Sequence, residues 1–182
     1  MAILKVARLG HPILRAKALP LSKPDIQSPR IQQLIDDMFD TMEEYAGIGL
    51  AAPQVHEGVR LFVAGVHAAD VVTPLDGESD MPFLTVINPE IVAMGPEVAS
   101  DWEGCLSIPD IRGQVPRPSA VRLRALDRKG RKFELVARGL PGRVIQHEND
   151  HLDGVMFFDR MTSFDTLTFM DEFRRYWTKD DE

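Results

Sequence analysis

His147 and His151 stand four residues apart, with Glu148 beside the first, in the run Gln146-His147-Glu148-Asn149-Asp150-His151-Leu152. On a helix, positions i and i+4 share a face, so both imidazoles can grip one metal ion. Glu148 can then reach a water on that ion. A divalent cation lowers the pKa of a bound water, and a carboxylate beside it takes the proton. The pattern points to hydrolysis of a carbonyl bond by metal-activated water. By chance, His-Glu-x-x-His is expected in a chain of this length at about one per cent or less. A helical His pair can also be packing or solvated surface. Leu140, Val144, Ile145 and Leu152 make this segment apolar. Buried imidazoles and carboxylates need partners, which favours the metal reading.

A catalytic metal site usually takes three protein ligands plus a water. One peptidase pattern places a third His six residues after the second, but Phe157 occupies that position. Another takes a later Glu from a different helix, and Glu172 is available. A third source lies upstream, in Glu103-Gly104-Cys105-Leu106-Ser107, where Cys105 is the single cysteine of the chain. A thiolate is a strong ligand, and Gly104 allows a close approach. On residue types alone, both Glu172 and Cys105 remain open. The segment Gly47-Ile48-Gly49-Leu50-Ala51-Ala52-Pro53-Gln54 is rich in small residues, as where backbone meets a ligand. It lacks the Lys and Ser/Thr of a phosphate-binding loop, and by itself could be a packed bend.

The elements around these residues follow from spacing. Ser28-Pro29 opens a helix, with Ser as cap and Pro in the first turn. Ile31, Leu34, Ile35, Met38, Met42 and Tyr45 form its stripe. Leu61 to Ala64, Phe83 to Ile87, Ile91 to Ala99 and Ala120 to Leu126 are predicted strands, and Asp70 to Pro82 a polar loop. Asp127-Arg128-Lys129-Gly130 is a turn that returns Phe133 to Ala137 as a hairpin partner. Pro141 opens the helix that carries His147 and His151. A last helix is predicted over about 164–177, with Leu167, Met170, Phe173 and Trp177 as a core-facing stripe. Strands with segregated helices give an α+β class, antiparallel strands packed around a central metal-binding helix.

The 182 residues suit a single domain, and 44% hydrophobic content is that of an ordinary globular chain. A net charge of −7 argues against a broad nucleic-acid footprint and direct base readout. The basic residues from Arg112 to Lys132 read mostly as solvated strand faces, with Arg112 and Arg117 set apart by their closeness to Cys105. No apolar run reaches membrane-spanning length, and the start lacks a signal peptide's apolar core. A cytoplasmic location is the expectation.

Taken together and in order, Gly-x-Gly-Leu-Ala-Ala-Pro-Gln, Glu-Gly-Cys-Leu-Ser and Gln-His-Glu-x-Asp-His-Leu-x-Gly resemble the three signature motifs of the peptide deformylase family. Gly10-His11-Pro12-Ile13-Leu14-Arg15 and Ile87-Asn88-Pro89 extend the resemblance from about Leu9 to Met161. Pro141-Gly142-Arg143-Val144-Ile145 has the flavour of the organellar-like branch. Arg143 stands where many bacterial members carry an apolar residue, a departure expected at the pocket rim.

The resemblance implies that Cys105, His147 and His151 bind one divalent metal. Fe(II) is expected, with Zn(II), Ni(II) or Co(II) in preparations. It implies Glu148 as general base and then proton donor. Gln54's side-chain amide and Leu106's backbone N–H would form the oxyanion hole. Ile48, Gly49 and Gly104 would pair with the peptide backbone, and Leu140 and Val144 would line the methionine pocket. Asp150 would anchor Arg112 or Arg117, or orient an imidazole, and Gln146 would bridge strand and helix backbone. The implied substrates are N-formylmethionyl peptides, and formate is a product. Because such peptides emerge from the ribosome, docking near its exit tunnel is a further expectation.

Overall fold

The computed structural model describes residues 2–66 and 81–178. Most of the expected loop at 70–82, and the acidic end at 179–182, lie outside the described residues.

After a 3-10 turn at Pro12–Arg15, two helices open the fold. A one-turn helix α1 (Lys23–Ile26) is closed by a reciprocal Ser22/Asp25 cap. Helix α2 (Pro29–Glu44) then begins where Ser28 accepts a hydrogen bond from Ile31 N–H at 3.3 Å. Ile31, Leu34, Ile35, Met38 and Met42 are buried along one face. Tyr45, expected to continue that stripe, is the exposed residue that ends the helix.

A five-stranded antiparallel sheet follows the order β1 (Gly49–Ala51), β2 (Leu61–Val66), β3 (Met81–Ala93), β6 (Ala120–Leu126) and β7 (Lys132–Arg138). The β6/β7 hairpin closes at Asp127, whose carboxylate accepts from the N–H groups of Lys129 and Arg131 at 2.8 and 2.9 Å. Arg122 and Arg124 pair with Glu134 on its exposed face. The second sheet has the order β4 (Val98–Cys105), β5 (Ile108–Pro118) and β8 (Thr168–Phe169).

The strand expected over Ile91 to Ala99 is two strands in different sheets. β3 stops at Ala93, Gly95 adopts φ +91°, and the chain re-enters as β4 at Val98. Pro96 cannot donate to a ladder, so the break falls where pairing is weakest.

Helix α3 (Gly139–Leu152) is the element both sheets serve. It starts two residues before Pro141 and is buried over most of its length. Val144, Ile145 and Leu152 pack against Phe62, Val86, Val121 and Leu123 of the large sheet. A second cluster joins α2 to Leu50, Leu61, Val63 and Ile87. A third sets Leu14, Met156 and Phe157 against Ile108 and Val115 of the small sheet.

Helix α4 (Met170–Tyr176) begins six residues later than the spacing predicts, because residues 168–169 pair with β5 instead. None of its residues is buried. Phe173 and Trp177 lie edge-on to Trp102 at 4.7 and 5.2 Å, so the apolar stripe covers one aromatic side chain and not the main core.

The chain leaves α3 through Gly154, at φ +72° and with the Arg15 carbonyl oxygen 2.6 Å from where a Cβ would sit. Both the backbone angle and the contact exclude a side chain. Gly154→Ala is therefore expected to cost about 1–3 kcal/mol, visible as a fall in Tm on thermal denaturation of several degrees.

Candidate metal centre

Three elements converge below the edge strand β1. α3 brings His147, Glu148 and His151. β4 ends at Cys105, immediately before the tight turn at Leu106-Ser107. A 3-10 turn at Ala52–Val55 brings Gln54. The Cys105 thiol, one nitrogen of His147 and one of His151 all lie within 4.8 Å of one another. Cys105 Sγ is 3.3 Å from His151 Nε2, and the two imidazole rings are 4.9 Å apart, nearly perpendicular. A tetrahedral ion bonded at about 2.3 Å to sulfur and 2.0 Å to nitrogen holds such ligands about 3.5 Å apart. The donor set therefore fits a divalent transition metal. Glu172, the other candidate third ligand, is on α4, half-buried and accepting a hydrogen bond from Arg175 at 3.3 Å. The structure brings Cys105 to the histidines and not Glu172.

Glu148 is buried beside this cluster, and its Oε2 and His151 Nδ1 find no hydrogen-bond partner within the described protein. Buried polar atoms are rarely left unpaired, and such orphans mark where a water, ion or ligand belongs. Burial pushes the Glu148 carboxyl up to about 7, against the opposing charge of His147. A bound divalent cation would pull it back down. The β1 backbone passes directly over this carboxyl: a Cβ on Gly49 would sit 2.3 Å from Glu148 Oε1. Ile48 lies just outside β1, its carbonyl accepting from Gly65 N–H at 3.1 Å.

Gln54 is buried, and its side chain is held at both ends. Oε1 accepts from Ala51 N–H at 2.8 Å, and Nε2 faces Cys105 Sγ at 3.5 Å and Ser107 Oγ at 3.2 Å. The N-terminal segment pins the same region, Ala7 N–H donating to the Gln54 carbonyl and Leu9 N–H to that of Ser107. Leu106 follows Cys105 directly in the turn, its side chain packed into the α2 cluster. Gly104 lies opposite Arg112 across β4 and β5. Val144 is buried in the core under the large sheet, with Leu140 packed against the same cluster. Gln146 Nε2 donates to Pro118 O at 3.1 Å and Gly142 O at 3.0 Å, spanning strand and helix.

The two arginines set apart in the sequence separate in space. Arg117 donates through Nη1 to Asp150 at 2.6 Å, and Arg160 holds the other Asp150 oxygen at 2.7 Å. Arg112 instead lies over the Phe173 ring at 5.5 Å, with its Nε buried and without a hydrogen-bond partner among the described residues. Burial and the neighbouring Arg174 hold its pKa below the ordinary arginine value.

The residue that sequence spacing missed is Glu103. Its Oε2 lies 2.8 Å from His147 Nδ1. Arg117 grips both its oxygens, Nε to Oε1 at 2.8 Å and Nη2 to Oε2 at 2.9 Å. Burial works to raise the Glu103 carboxyl, but Arg117 and His147 overcome it and hold it well below the usual carboxylate range. For His147, burial is outweighed by hydrogen bonds with Cys105 and Glu103, which raise it in the metal-free chain. Burial and the positive charges of His147 and Arg117 hold His151 well below its ordinary value. Arg143, expected at a pocket rim, is buried against Glu103, with Nη1 at 2.8 Å from Oε1. A charged side chain reads as surface in a sequence, whereas here three acceptors meet it inside the fold.

A family model described as Polypeptide deformylase matches residues 3–166. The peptide deformylase of Leptospira biflexa is 39% identical over 163 residues, 90% of each chain. That of Azotobacter vinelandii is 45% identical over 163 residues, 90% of this chain and 89% of the other. A solved Acinetobacter baumannii class I type b peptide deformylase, with Met-Ala-Ser bound, superposes with a TM-score of 0.80 at 38% identity. It covers 88% of this chain and 99% of that one. Sequence and fold agree over the same span as the three converging segments, and the chain belongs to the polypeptide deformylase family.

Proposed function

We propose that this chain hydrolyses the formamide bond of N-terminal formylmethionine on newly made proteins, releasing formate and a free amine. The observation that carries the reading is the cluster of Cys105, His147 and His151 beside a buried Glu148 with an unmatched oxygen. A divalent metal held by those three would polarise the formyl carbonyl and acidify a water beside it. Glu148 takes the proton from the attacking water and delivers it to the departing amine, so the new C–O bond replaces the broken C–N bond without net charge transfer. Gln54 Nε2, already fixed toward Cys105, donates to the developing oxyanion, and Leu106 N–H is the second donor. Ile48 and the adjoining edge of β1 at Gly49, with Gly104 across the site, take the peptide as an added strand. Leu140 and Val144 contribute the apolar ground for methionine. Support for a peptide ligand comes from the Acinetobacter baumannii relative that holds Met-Ala-Ser.

Fe(II) is the metal in this reading, and a thiolate with two imidazoles also suits Zn(II), Ni(II) or Co(II). Among the described residues no helix is long and apolar enough to cross a membrane. Action in the cytoplasm, on chains leaving the ribosome, is part of the proposal, and co-sedimentation with ribosomes tests the docking. For the chemistry, the protein is loaded anaerobically with Fe(II), metal is counted per chain, and formate is measured from formyl-Met-Ala-Ser. One metal per chain with formate released in step with free amine is expected. Full metal content without formate would overturn the reading.

Gly49 gives a sharper check on Glu148. In Gly49→Ala the new methyl must displace either the β1 backbone or the carboxyl it overlaps. Misplacing a reacting group by about 1 Å can cost about 10²-fold in rate. The variant is expected to keep its metal and lose about that factor in kcat, measured by formate release at saturating peptide.

A further inference from the structure

Arg143 lies one helical turn before His147 on α3, so the two side chains leave the same face. Both end on one carboxylate. Arg143 Nη1 donates to Glu103 Oε1 at 2.8 Å, and His147 Nδ1 meets Glu103 Oε2 at 2.8 Å. Arg143 also donates to two backbone carbonyls, Val115 at 2.7 Å and Ala99 at 2.8 Å, which locks it between β4 and β5. Arg117 already neutralises Glu103 and satisfies both its oxygens. A second buried guanidinium is thus not needed for charge balance. Buried ion pairs often add little stability compared with apolar packing of similar volume. What Arg143 adds is geometric. Arg117 ties Glu103 to Asp150 near the end of the metal-binding stretch, and Arg143 ties it to the turn that precedes His147. The carboxylate that meets the imidazole is held at both ends of that stretch.

We propose that Arg143 is a positioning residue of the metal centre, fixing the ring of His147 through Glu103. This rests on the reading of Cys105, His147 and His151 as the metal ligands. Outer partners of ligating histidines set ring orientation and typically change metal affinity by about 10–100-fold when removed. The planar guanidinium fork makes this geometry, and a lysine ammonium reproduces it only in part.

The test uses Co(II), whose visible bands report ligand geometry, with affinity measured by chelator competition. Wild type, Arg143→Gln, Arg143→Lys, Glu103→Gln and the double variants are compared. Arg143→Gln is expected to lose about 3–10-fold in Co(II) affinity, less than the about 10–100-fold for removing a direct partner of a ligating histidine, and to shift the visible bands, and Arg143→Lys to recover part of both. In the Glu103→Gln background the Arg143 substitution is expected to add little, as for residues acting through one group. Unchanged affinity and bands in both Arg143 variants would overturn the proposal, whatever happens to Tm. So would a full-sized loss on top of Glu103→Gln. Should Arg143→Gln fail to fold, Arg143→Lys with and without Glu103→Gln decides on the same readouts. Wild-type protein that binds no Co(II) would instead remove the metal-centre reading itself, an outcome distinct from failure of the Arg143 step alone.

Discussion

Glu148→Gln is expected to lower kcat for formate release by about 10²–10⁴-fold, the usual contribution of a positioned general base, while the metal content stays that of wild type. Glu148 lies outside the trio of ligand atoms, so the substitution leaves Cys105, His147 and His151 in place. The amide keeps the shape of the side chain and its contact with the Gly49 backbone. What it loses is the ability to accept a proton. A second consequence runs the other way. In the metal-free fold the Glu148 carboxyl is pushed up to about 7 by burial, above its ordinary value near 4.5. A carboxyl raised in the fold binds its proton more tightly folded than unfolded. The ionisation part of its burial cost is therefore absent at acid pH. The cost grows as pH rises from about 4.5 through 7, and is complete above that, at about 3–4 kcal/mol. Metal-free Glu148→Gln is thus expected to match wild type in Tm near pH 4 and to exceed it above pH 7.5. Together the two measurements separate a catalytic group from a packing one: a packing residue would lose stability at every pH and leave the chemistry nearly intact. Retained turnover in a fully metal-loaded Glu148→Gln would remove the residue from the mechanism.

How much of this was legible in the sequence varies by residue, for physical reasons. His147, Glu148 and His151 were readable because helical periodicity converts spacing directly into a shared face. Cys105 was the lone thiol in a glycine-flanked segment, yet its spacing alone did not choose it over Glu172. Only the β4 turn folding back under α3 does that. Helix α2 was readable from Ser28, Pro29 and an apolar stripe, and the β6/β7 hairpin from its Asp-Arg-Lys-Gly turn. The β4/β5 hairpin was not, because its strands carry Glu103, Arg112, Gln114 and Arg117 where alternating apolar residues would have announced them. Those polar residues form no periodic pattern because Glu103 and Arg117 face one another inside the fold, not water. Arg143 failed for the same reason. A single charged residue signals solvent, and its burial becomes visible only when Glu103, Ala99 and Val115 are seen to converge on it. The short α4 was overextended because Leu167 fits a helical stripe equally well from the adjoining strand bridge.

Glu103→Ala is expected to do the greatest damage to the fold while also weakening the metal. The substitution removes the common acceptor of Arg117, Arg143 and His147, each bonded at 2.8–2.9 Å. Arg117 keeps Asp150, and Arg143 keeps two carbonyls, but both guanidiniums lose their shared countercharge in a buried site. Breaking a buried ion pair from one side typically costs about 3–5 kcal/mol, because the surviving charge is left uncompensated. For a chain of this size that corresponds to a fall in Tm of about 6–20 °C. Metal affinity is expected to fall by about 10–100-fold as His147 loses its partner. The pH dependence gives the sign independently. Glu103 is held well below the usual carboxylate range in the fold, so the stability it contributes is fully present above its unfolded value near 4.5 and is lost as pH falls below that. The gap in Tm between metal-free wild type and Glu103→Ala should therefore be widest near neutral pH and narrow progressively in acid. A gap that stayed constant from pH 7 to pH 3 would mean that the variant suffers from lost packing volume alone, and that the carboxylate charge does not hold the guanidiniums and His147 in place.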